Sequence, residues 1–266
     1  MKKILFLCMT ALMSVAMLTA GCGDNAADRD SSSSSSTAKT LKIGSSADFA
    51  PFEFQGADSN EYQGFDMDLI RAIGKEMGTD VEINNIAFDG LIPALQSGNI
   101  DIAISGMSIT DERKQQVGFS DPYYDSGLTI AVKADNNDIN SFADLKGKKI
   151  AVQIGTTGAE EAKKIPDAQV KEMNSSADTF LELKAGNVDA VVNDKPVNDY
   201  YMVKNSDNTV KRVGEKLTSE SYGIAVKKDN TKLVGELNAA LKKLKENGEY
   251  NKIYKKWFGT EPTDNK

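Results

Sequence analysis

The sequence predicts an α/β protein built from two lobes, on three observations. From residue 41 onward, short apolar runs of β type alternate with segments of helical periodicity, which is typical of α/β folds with mostly parallel sheets. A helix end, a glycine and an incoming apolar strand occur once in each half, as LQSGNID at residues 95–101 and LKAGNVD at residues 183–189. Two similar β runs, IAVKADN at 130–136 and IAVKKDN at 224–230, flank the second half and indicate where the chain crosses between lobes. Roughly 225 folded residues also exceed one typical domain.

The first half begins with a strand and continues with an amphipathic helix. Phe65, Leu69, Ile73 and Met77 recur at a spacing of four, which predicts one buried helix face, and Gly78 is expected to end that helix. The remaining elements of this half are predicted as strands at residues 41–44, 81–83 and 100–105 and a short helix at 91–96, closed by Gly98.

The second half repeats this alternation, and a long helix follows it. Strands are predicted at residues 150–154 and 188–193, with a helix at 178–184 between them. Near the C-terminus, leucines recur at helical spacing before Asn247-Gly248, at positions 233, 237, 241 and 244. Leucines in this pattern form a core-facing stripe, so this helix is expected to return to the first lobe.

Composition excludes several classes of chemistry. The 266 residues include 32 Lys and Arg, 39 Asp and Glu and no histidine, for a net charge of −7. Nucleophilic triads and zinc sites that need an imidazole are therefore excluded, and Cys8 and Cys22 both lie near the N-terminus. The acidic balance argues against nucleic acid as a partner. We expect no catalytic residue, metal or cofactor.

The N-terminus has the pattern of a targeting segment. Lys2 and Lys3 precede an apolar run at residues 4–17, so residues 1–21 are predicted to be a signal peptide. LTAGC at 18–22 resembles the lipobox of bacterial lipoproteins, which implies a lipid on Cys22; the alternative is an ordinary secretory signal with a chance cysteine. Residues 22–39, with six serines at 31–36, are predicted to be a flexible tether. The protein is thus expected outside the cytoplasm, on a membrane through its lipid anchor.

Four polar segments follow predicted strands, two in each half. Ligands of open α/β sheets bind beyond the carboxyl ends of the strands, where loops and helix N-termini meet. The segments are residues 45–49, 105–108, 155–158 and 193–194. We expect them to face each other across a cleft between the lobes.

Arg113 is the most informative residue near these segments. It follows Thr110, a favourable helix N-cap, and so lies in a first helical turn, where the helix dipole disfavours a cation. Its compensating anion is either a surface acid such as Asp111 or a ligand carboxylate gripped bidentately. Asp194 suits an ammonium group, although it could instead cap the helix that follows. One Arg and one Asp from opposite lobes would form a site for a zwitterion.

Five spaced motifs extend this interpretation. They are FAPFEF at 49–54, GFDMDL at 64–69, IPAL at 92–95, SITDER at 108–113 and YNKIYKKWFG at 250–259. Over about residues 40–262 they resemble the polar amino-acid-binding proteins of bacterial ABC importers, solute-binding protein family 3, with glutamine-binding members as the nearest pattern. The resemblance implies a type II periplasmic-binding-protein-like fold, with lobe 1 at 40–125 and 221–262, lobe 2 at 126–220, and hinge strands near 123–127 and 218–222. It also implies a monomer that delivers its ligand to an ABC permease in the cytoplasmic membrane.

The same resemblance assigns roles to individual residues. Arg113 and the backbone N–H groups of Ser108 and Thr157 would hold the α-carboxylate of an amino acid. Asp194, the Gly106 carbonyl and the Ser108 hydroxyl would hold its α-ammonium. Phe49 and Phe88 would stack on its side chain. The residues predicted to bind substrate are Ser46, Phe49, Phe88, Ser105, Gly106, Ser108, Arg113, Gln153, Thr156, Thr157, Asn193 and Asp194.

Three positions depart from the glutamine-binding pattern. Ser46 stands where those members carry Asp, and Gln153 and Asn193 stand where they carry Lys and His. By complementarity these neutral groups favour a neutral polar side chain, so glutamine ranks first. The loop at residues 155–157 is similar to the basic-amino-acid branch, which leaves arginine, lysine, histidine or cystine as alternatives. A remote alternative is a cyclic-acid dehydratase on the same fold, for which Asp48 and Glu53 are the nearby acids.

Overall fold

The computed structural model describes residues 40–56, 60–205 and 208–262. The predicted signal peptide at 1–21, the tether at 22–39 and the lipidation site at Cys22 lie outside the described residues. Within the described ranges, no helix combines the length and the apolar character that crossing a membrane requires.

Strands and helices alternate along the chain as predicted, with short strands added around the first helix. The strands are β1 Leu41–Ser45, β2 Asp48–Phe49, β3 Glu53–Gln55, β4 Tyr62–Gln63, β5 Val81–Asn85, β6 Ile102–Ala103, β7 Val117–Phe119, β8 Tyr124–Ser126, β9 Leu128–Lys133, β10 Lys149–Gln153, β11 Gln169–Met173, β12 Ala190–Asp194, β13 Val210–Val213, β14 Glu220–Tyr222 and β15 Ala225–Lys227. The helices are α1 Phe65–Met77, α2 Leu91–Ser97, α3 Asp111–Gln116, α4 Thr157–Lys163, α5 Ser176–Ala185, α6 Lys195–Lys204, α7 Thr231–Glu246 and α8 Glu249–Phe258.

Two five-stranded sheets form the two lobes and confirm the predicted fold class. The strand order is β5-β1-β6-β15-β7 in the first and β11-β10-β12-β9-β13 in the second. In the first sheet β1 runs parallel to β5 and β6, and in the second β10 runs parallel to β11 and β12.

The expectation of mostly parallel sheets needs correction, because each sheet is mixed. β15 pairs antiparallel with β6 and β7, and β9 pairs antiparallel with β12 and β13. β9 and β15 are the strands on which the chain enters a lobe from the other one. They are therefore antiparallel to the strands that belong to the βα repeats of that lobe.

The lobes are joined by two short strands that pair with each other. β8 lies between β7 and β9 in the chain, β14 lies between β13 and β15, and the two form an antiparallel two-stranded sheet. Tyr222 of β14 is opposite Tyr124 of β8, and their rings stack with centroids 5.6 Å apart. Both chain crossings thus lie side by side, which is the geometry of a hinge.

Two long helices cover the first sheet. α1 has the predicted bounds and ends at Gly78, whose φ of 66° places it in the left-handed region that glycine favours. Leu233, Leu237 and Leu241 of α7 are buried, and α7 packs against α1. Burying each leucine fully contributes about 1.5–3 kcal/mol to stability, so α7 anchors the returning chain to the first lobe.

Candidate functional site

A cleft lies between the lobes, beyond the carboxyl ends of strands from both sheets. Ser46 follows β1, Ser105 follows β6, Gln153 ends β10 and Asp194 ends β12. The complete lining is Ser46, Asp48, Phe49, Phe88, Ser105, Gly106, Ser108 and Arg113 on one side and Gln153, Thr156, Thr157 and Asp194 on the other.

The structure brings the predicted residues together in this cleft, except Asn193. The Asn193 side chain is buried beside it, donating from Nδ2 to Ser176 Oγ at 2.9 Å and accepting the Asp194 backbone N–H at 2.9 Å. Asn193 therefore supports Asp194 and α5 and does not line the cleft. Its side-chain amide makes both of these hydrogen bonds within the second lobe. Asn193 therefore does not contribute to recognition of the ligand side chain in the way that the sequence suggested.

Arg113 is buried and reaches both lobes. Thr110 caps α3 by accepting the Arg113 backbone N–H at 3.1 Å, as the sequence predicts. The guanidinium donates to the carbonyl oxygens of Ser108 at 2.8 Å and Gly155 at 3.0 Å. It also lies 5.3 Å from the centroid of the Phe88 ring, a cation–π distance.

The surface acid considered for Arg113 has another partner. Asp111 is 97% exposed at its side chain and pairs with Lys114 at 3.5 Å. Burial lowers the pKa of Arg113, and the carboxylates of Glu160, Glu220 and Asp194 oppose that shift. Arginine nevertheless stays protonated in proteins. A guanidinium has five N–H donors, so its two backbone bonds leave donors for an anion in the cleft.

Asp194 lies at the N-cap position of α6 without capping it through its side chain. Its carboxylate instead accepts the Ser126 hydroxyl of β8 at 2.7 Å, and Ser126 in turn accepts the hydroxyl of Tyr222 in β14 at 3.0 Å. Burial raises the pKa of Asp194 to about 6, with Glu220 adding to the rise and Arg113 opposing it. The acid is thus held by both hinge strands, and a cation in the cleft would lower its pKa again.

Asp48 is a cleft residue that the sequence did not place in the binding set. Its carboxylate accepts from the backbone N–H of Ser176 at 3.1 Å, from Gln153 Nε2 at 3.4 Å and from Ser46 Oγ at 3.2 Å. Burial raises the pKa of Asp48 to about 6. Ser46 and Asp48 are two residues apart, and alternate residues of an extended chain share a side. That spacing is the sequence signal that could have placed Asp48 in the cleft beside Ser46.

Gly106 and Phe49 are in close contact on the first-lobe side. Gly106 has a φ of 52°, and a Cβ at that position would lie 2.7 Å from Cε1 of the Phe49 ring. Glycine is required here both for the left-handed backbone and for the close approach of the ring. Phe49 and Phe88 are both buried.

Glu220 of hinge strand β14 joins the two sides next to the cleft. Its Oε2 accepts the hydroxyl of Thr157 at 2.9 Å, and the same oxygen accepts the hydroxyl of Ser108. Thr218 Oγ1 donates to the other oxygen at 2.7 Å. No sequence motif distinguished Glu220, because the two hydroxyls that it accepts from the lobes, those of Thr157 and Ser108, are more than 60 residues away along the chain.

The cleft combines a buried cation, a buried anion and hydroxyl groups. Across the described ranges, no cluster of three or more Cys, Asp or Glu side chains is arranged to hold a metal ion. The arrangement therefore offers hydrogen-bonding and ionic complementarity to a small molecule that carries both charges.

A two-lobe α/β fold that encloses such a cleft at its hinge defines a solute-binding protein. The chain belongs to the bacterial extracellular solute-binding proteins, family 3, whose family profile matches residues 41–260. The family indicated by the spaced motifs is confirmed.

Three relatives illustrate the similarity. The ABC transporter glutamine-binding protein GlnH of Bacillus subtilis (strain 168) is 35% identical over 277 aligned residues, covering 99% of this chain and 100% of the relative. A solved structure of an ancestral arginine-binding protein bound to arginine has a TM-score of 0.80 and 48% identity, covering 83% of this chain and 98% of the other. A structure of an ancestral arginine-binding protein bound to glutamine has a TM-score of 0.78 and 48% identity, with the same coverage.

Proposed function

We propose that this protein is the extracytoplasmic substrate-binding protein of an ABC transporter, which captures a polar L-amino acid between its lobes and delivers it to a permease. The observation that carries the proposal is the presence of Arg113 and Asp194 in one closed cleft. The family membership and the names of the relatives support transport of an amino acid. A lipid at Cys22 and a monomeric state are part of the same proposal.

In this proposal the two charges of the amino acid are held separately. Arg113 and the backbone N–H groups of Ser108 and Thr157 bind the carboxylate. Asp194, the Gly106 carbonyl and the Ser108 hydroxyl bind the ammonium, while the Phe49 and Phe88 rings flank the side chain. Burying two charges is tolerable only when each is paired and hydrogen-bonded, and the cleft offers partners for both.

Binding drives closure because each lobe holds part of the ligand. A ligand that contacts both lobes stabilises the closed arrangement by the difference between its affinities for the closed and open forms. The paired strands β8 and β14 are the only described connections that must bend, since they carry both chain crossings. Such hinge closure is a common response of two-lobe binding proteins.

Glutamine ranks first as the ligand, and a basic amino acid is the second candidate. Ser46 and Gln153 are neutral hydrogen-bonding groups that complement a side-chain amide. Asp48 favours the second candidate, because its carboxylate lies in the cleft with only neutral hydrogen-bond donors around it. A guanidinium or ammonium from the ligand would pair with it.

A reaction is not part of the proposal. Of the two acids considered for a dehydratase, Asp48 lines the cleft, while Glu53 is fully buried and does not line it. A dehydratase would need a group in contact with its substrate to transfer a proton, and Glu53 has no such access in this arrangement.

A thermal-shift panel over the twenty amino acids, followed by calorimetry of the hits, tests the proposed function. A ligand at one hundred times its dissociation constant adds about 2.7 kcal/mol to stability, so a true ligand gives a clear rise in Tm. Absence of a shift with every amino acid would overturn the proposal. Repeating the panel with Asp48→Asn separates the candidates: the shift by arginine or lysine is lost if Asp48 pairs with a cation, whereas a shift by glutamine is largely kept.

A further inference from the structure

Two carboxyl groups without exposed surface lie directly behind the cleft. Glu53 of β3 and Asp66 of α1 are both 0% exposed. Glu53 Oε1 accepts the Ser105 hydroxyl at 2.9 Å, and Asp66 Oδ2 accepts the Gly106 backbone N–H at 2.9 Å. Both acids therefore hold the same two-residue segment of the cleft wall. Both belong to the spaced sequence motifs, and ligand binding assigns neither acid a role.

The other oxygen of each carboxyl group lacks a conventional partner. Glu53 Oε2 and Asp66 Oδ1 are buried, and neither has a hydrogen-bond partner among the described residues. The two carboxyl groups interact directly with each other. Two neighbouring carboxylates repel when both are ionised, but one proton between them converts the repulsion into a hydrogen bond that can satisfy both oxygens.

The surroundings favour one charge and disfavour two. Burial and the charge of Asp66 raise the pKa of Glu53 well above its usual range, and Asp48 adds to the rise. Burial raises the pKa of Asp66 to about 6, opposed by the Gly106 N–H and the Tyr123 hydroxyl. Asp66 accepts two donors on its engaged oxygen, the second being Tyr123 at 2.7 Å, whereas Glu53 accepts one. The negative charge is therefore better solvated at Asp66.

We propose that Glu53 and Asp66 share a single proton at neutral pH, carried on Glu53 Oε2 and donated to Asp66 Oδ1, and that this pair positions the Ser105-Gly106 segment for ligand binding. The part concerning the ligand rests on the proposed function. Both acids are positioning residues, since neither lines the cleft.

The geometry links the pair to the ammonium subsite and to Ser46 of the cleft wall. Asp66 holds the Gly106 N–H, and Gly106 is the residue whose carbonyl is proposed to accept the ligand ammonium. Glu53 holds the Ser105 hydroxyl, which also accepts the backbone N–H of Ser46 at 3.0 Å. If both acids were ionised, their repulsion would separate β3 from α1 and displace both residues of the segment.

The proton itself is detected by infrared spectroscopy at pH 8. Asp48 and Asp194, whose pKa values are raised to about 6, are ionised at that pH. A difference spectrum of wild type minus Glu53→Gln is expected to contain the C=O stretching band of a protonated carboxyl group. The matched control, Glu246→Gln on the exposed face of α7, is expected to give a difference spectrum without that band. Absence of the protonated band in the Glu53→Gln difference would overturn the proposal.

Ligand binding tests the positioning role. The amide of Glu53→Gln donates to Asp66 and still accepts from Ser105, so its ligand affinity is expected to stay within about threefold of wild type, while Glu53→Ala loses about tenfold or more. Equal losses in Glu53→Gln and Glu53→Ala would overturn the role of the neutral partner. If wild type binds no amino acid, the proposed function fails, and the infrared result still decides whether the proton is shared.

Discussion

Arg113 Nη2 donates to the carbonyl oxygen of Gly155 at 3.0 Å, and this bond joins the two lobes across the cleft. The same guanidinium donates to Ser108 O in its own lobe at 2.8 Å. The residue proposed to bind the ligand carboxylate is therefore also an interlobe contact. Ligand capture and lobe closure are coupled through one side chain.

Arg113→Ala is expected to abolish ligand binding. Removing one partner of a buried charge pair costs about 3–5 kcal/mol, or more than a hundredfold in affinity. Isothermal titration calorimetry with the amino acid found in the panel measures this loss. Arg71→Ala is the matched control, because Arg71 also donates to a backbone carbonyl, Tyr62 O at 2.8 Å, but lies outside the cleft. Binding of normal strength by Arg113→Ala would contradict the site.

Asp48→Asn is expected to change the pH dependence of stability in the ligand-free protein. Burial raises the pKa of Asp48 from 3.8 to about 6, so the folded state keeps a proton that the unfolded state has released. The free energy of unfolding of wild type therefore falls as pH rises from about 4 to 6 through this group, and the asparagine variant lacks that contribution.

Denaturant unfolding at half-unit pH steps measures the effect. The stability of Asp48→Asn relative to wild type should rise between pH 4 and 6 and then level off. Asp80→Asn is a suitable control, because Asp80 is exposed and lies outside the cleft. A constant difference between Asp48→Asn and wild type over this range would contradict the raised pKa.

Gly106→Ala is expected to weaken both folding and ligand binding. The φ of 52° costs an alanine about 1–2 kcal/mol, and its Cβ would also collide with the Phe49 ring at 2.7 Å. Gly98→Ala is the matched control, since Gly98 has a φ of 76° but nothing within 4 Å of an added Cβ. The control should lose stability alone. Equal ligand affinities in the two variants would show that Gly106 does not shape the cleft.

Glu220→Ala is expected to open the ligand-free protein. Hydrogen bonds to a charged group contribute about 1.5–3 kcal/mol each, and this carboxylate accepts hydroxyls from both lobes, Ser108 and Thr157. Small-angle X-ray scattering should show a larger radius of gyration for the ligand-free variant and an unchanged value with ligand. The exposed Glu215→Ala serves as control. Identical ligand-free profiles for Glu220→Ala and wild type would contradict a closing role for Glu220.

The local sequence determined the elements whose residues contact near neighbours in the chain. The spacing of Phe65, Leu69, Ile73 and Met77, followed by Gly78, predicted the bounds of α1 because helix periodicity and its glycine stop are local properties. The strand predicted at residues 100–105 is shorter in the structure, spanning only Ile102–Ala103. The residues that follow bond elsewhere: the Ser105 hydroxyl donates to Glu53 and the Gly106 backbone N–H donates to Asp66.

The sequence also determined which residues follow the carboxyl ends of strands, and hence most of the cleft lining. It did not determine where their side chains would find partners. The Asn193 side chain donates to Ser176. The Asp48 carboxylate accepts hydrogen bonds from Gln153 and Ser176 of the other lobe. The Glu220 carboxylate accepts hydroxyl groups from both lobes.

Only the tertiary structure decided these pairings and the contact between Glu53 and Asp66. Periodicity in a sequence reports which face of an element is buried. The hydrogen-bond partner of a buried polar group depends on how segments distant in the chain pack together. The protonation state of a buried acid depends on the charges and hydrogen-bond donors that this packing places next to it.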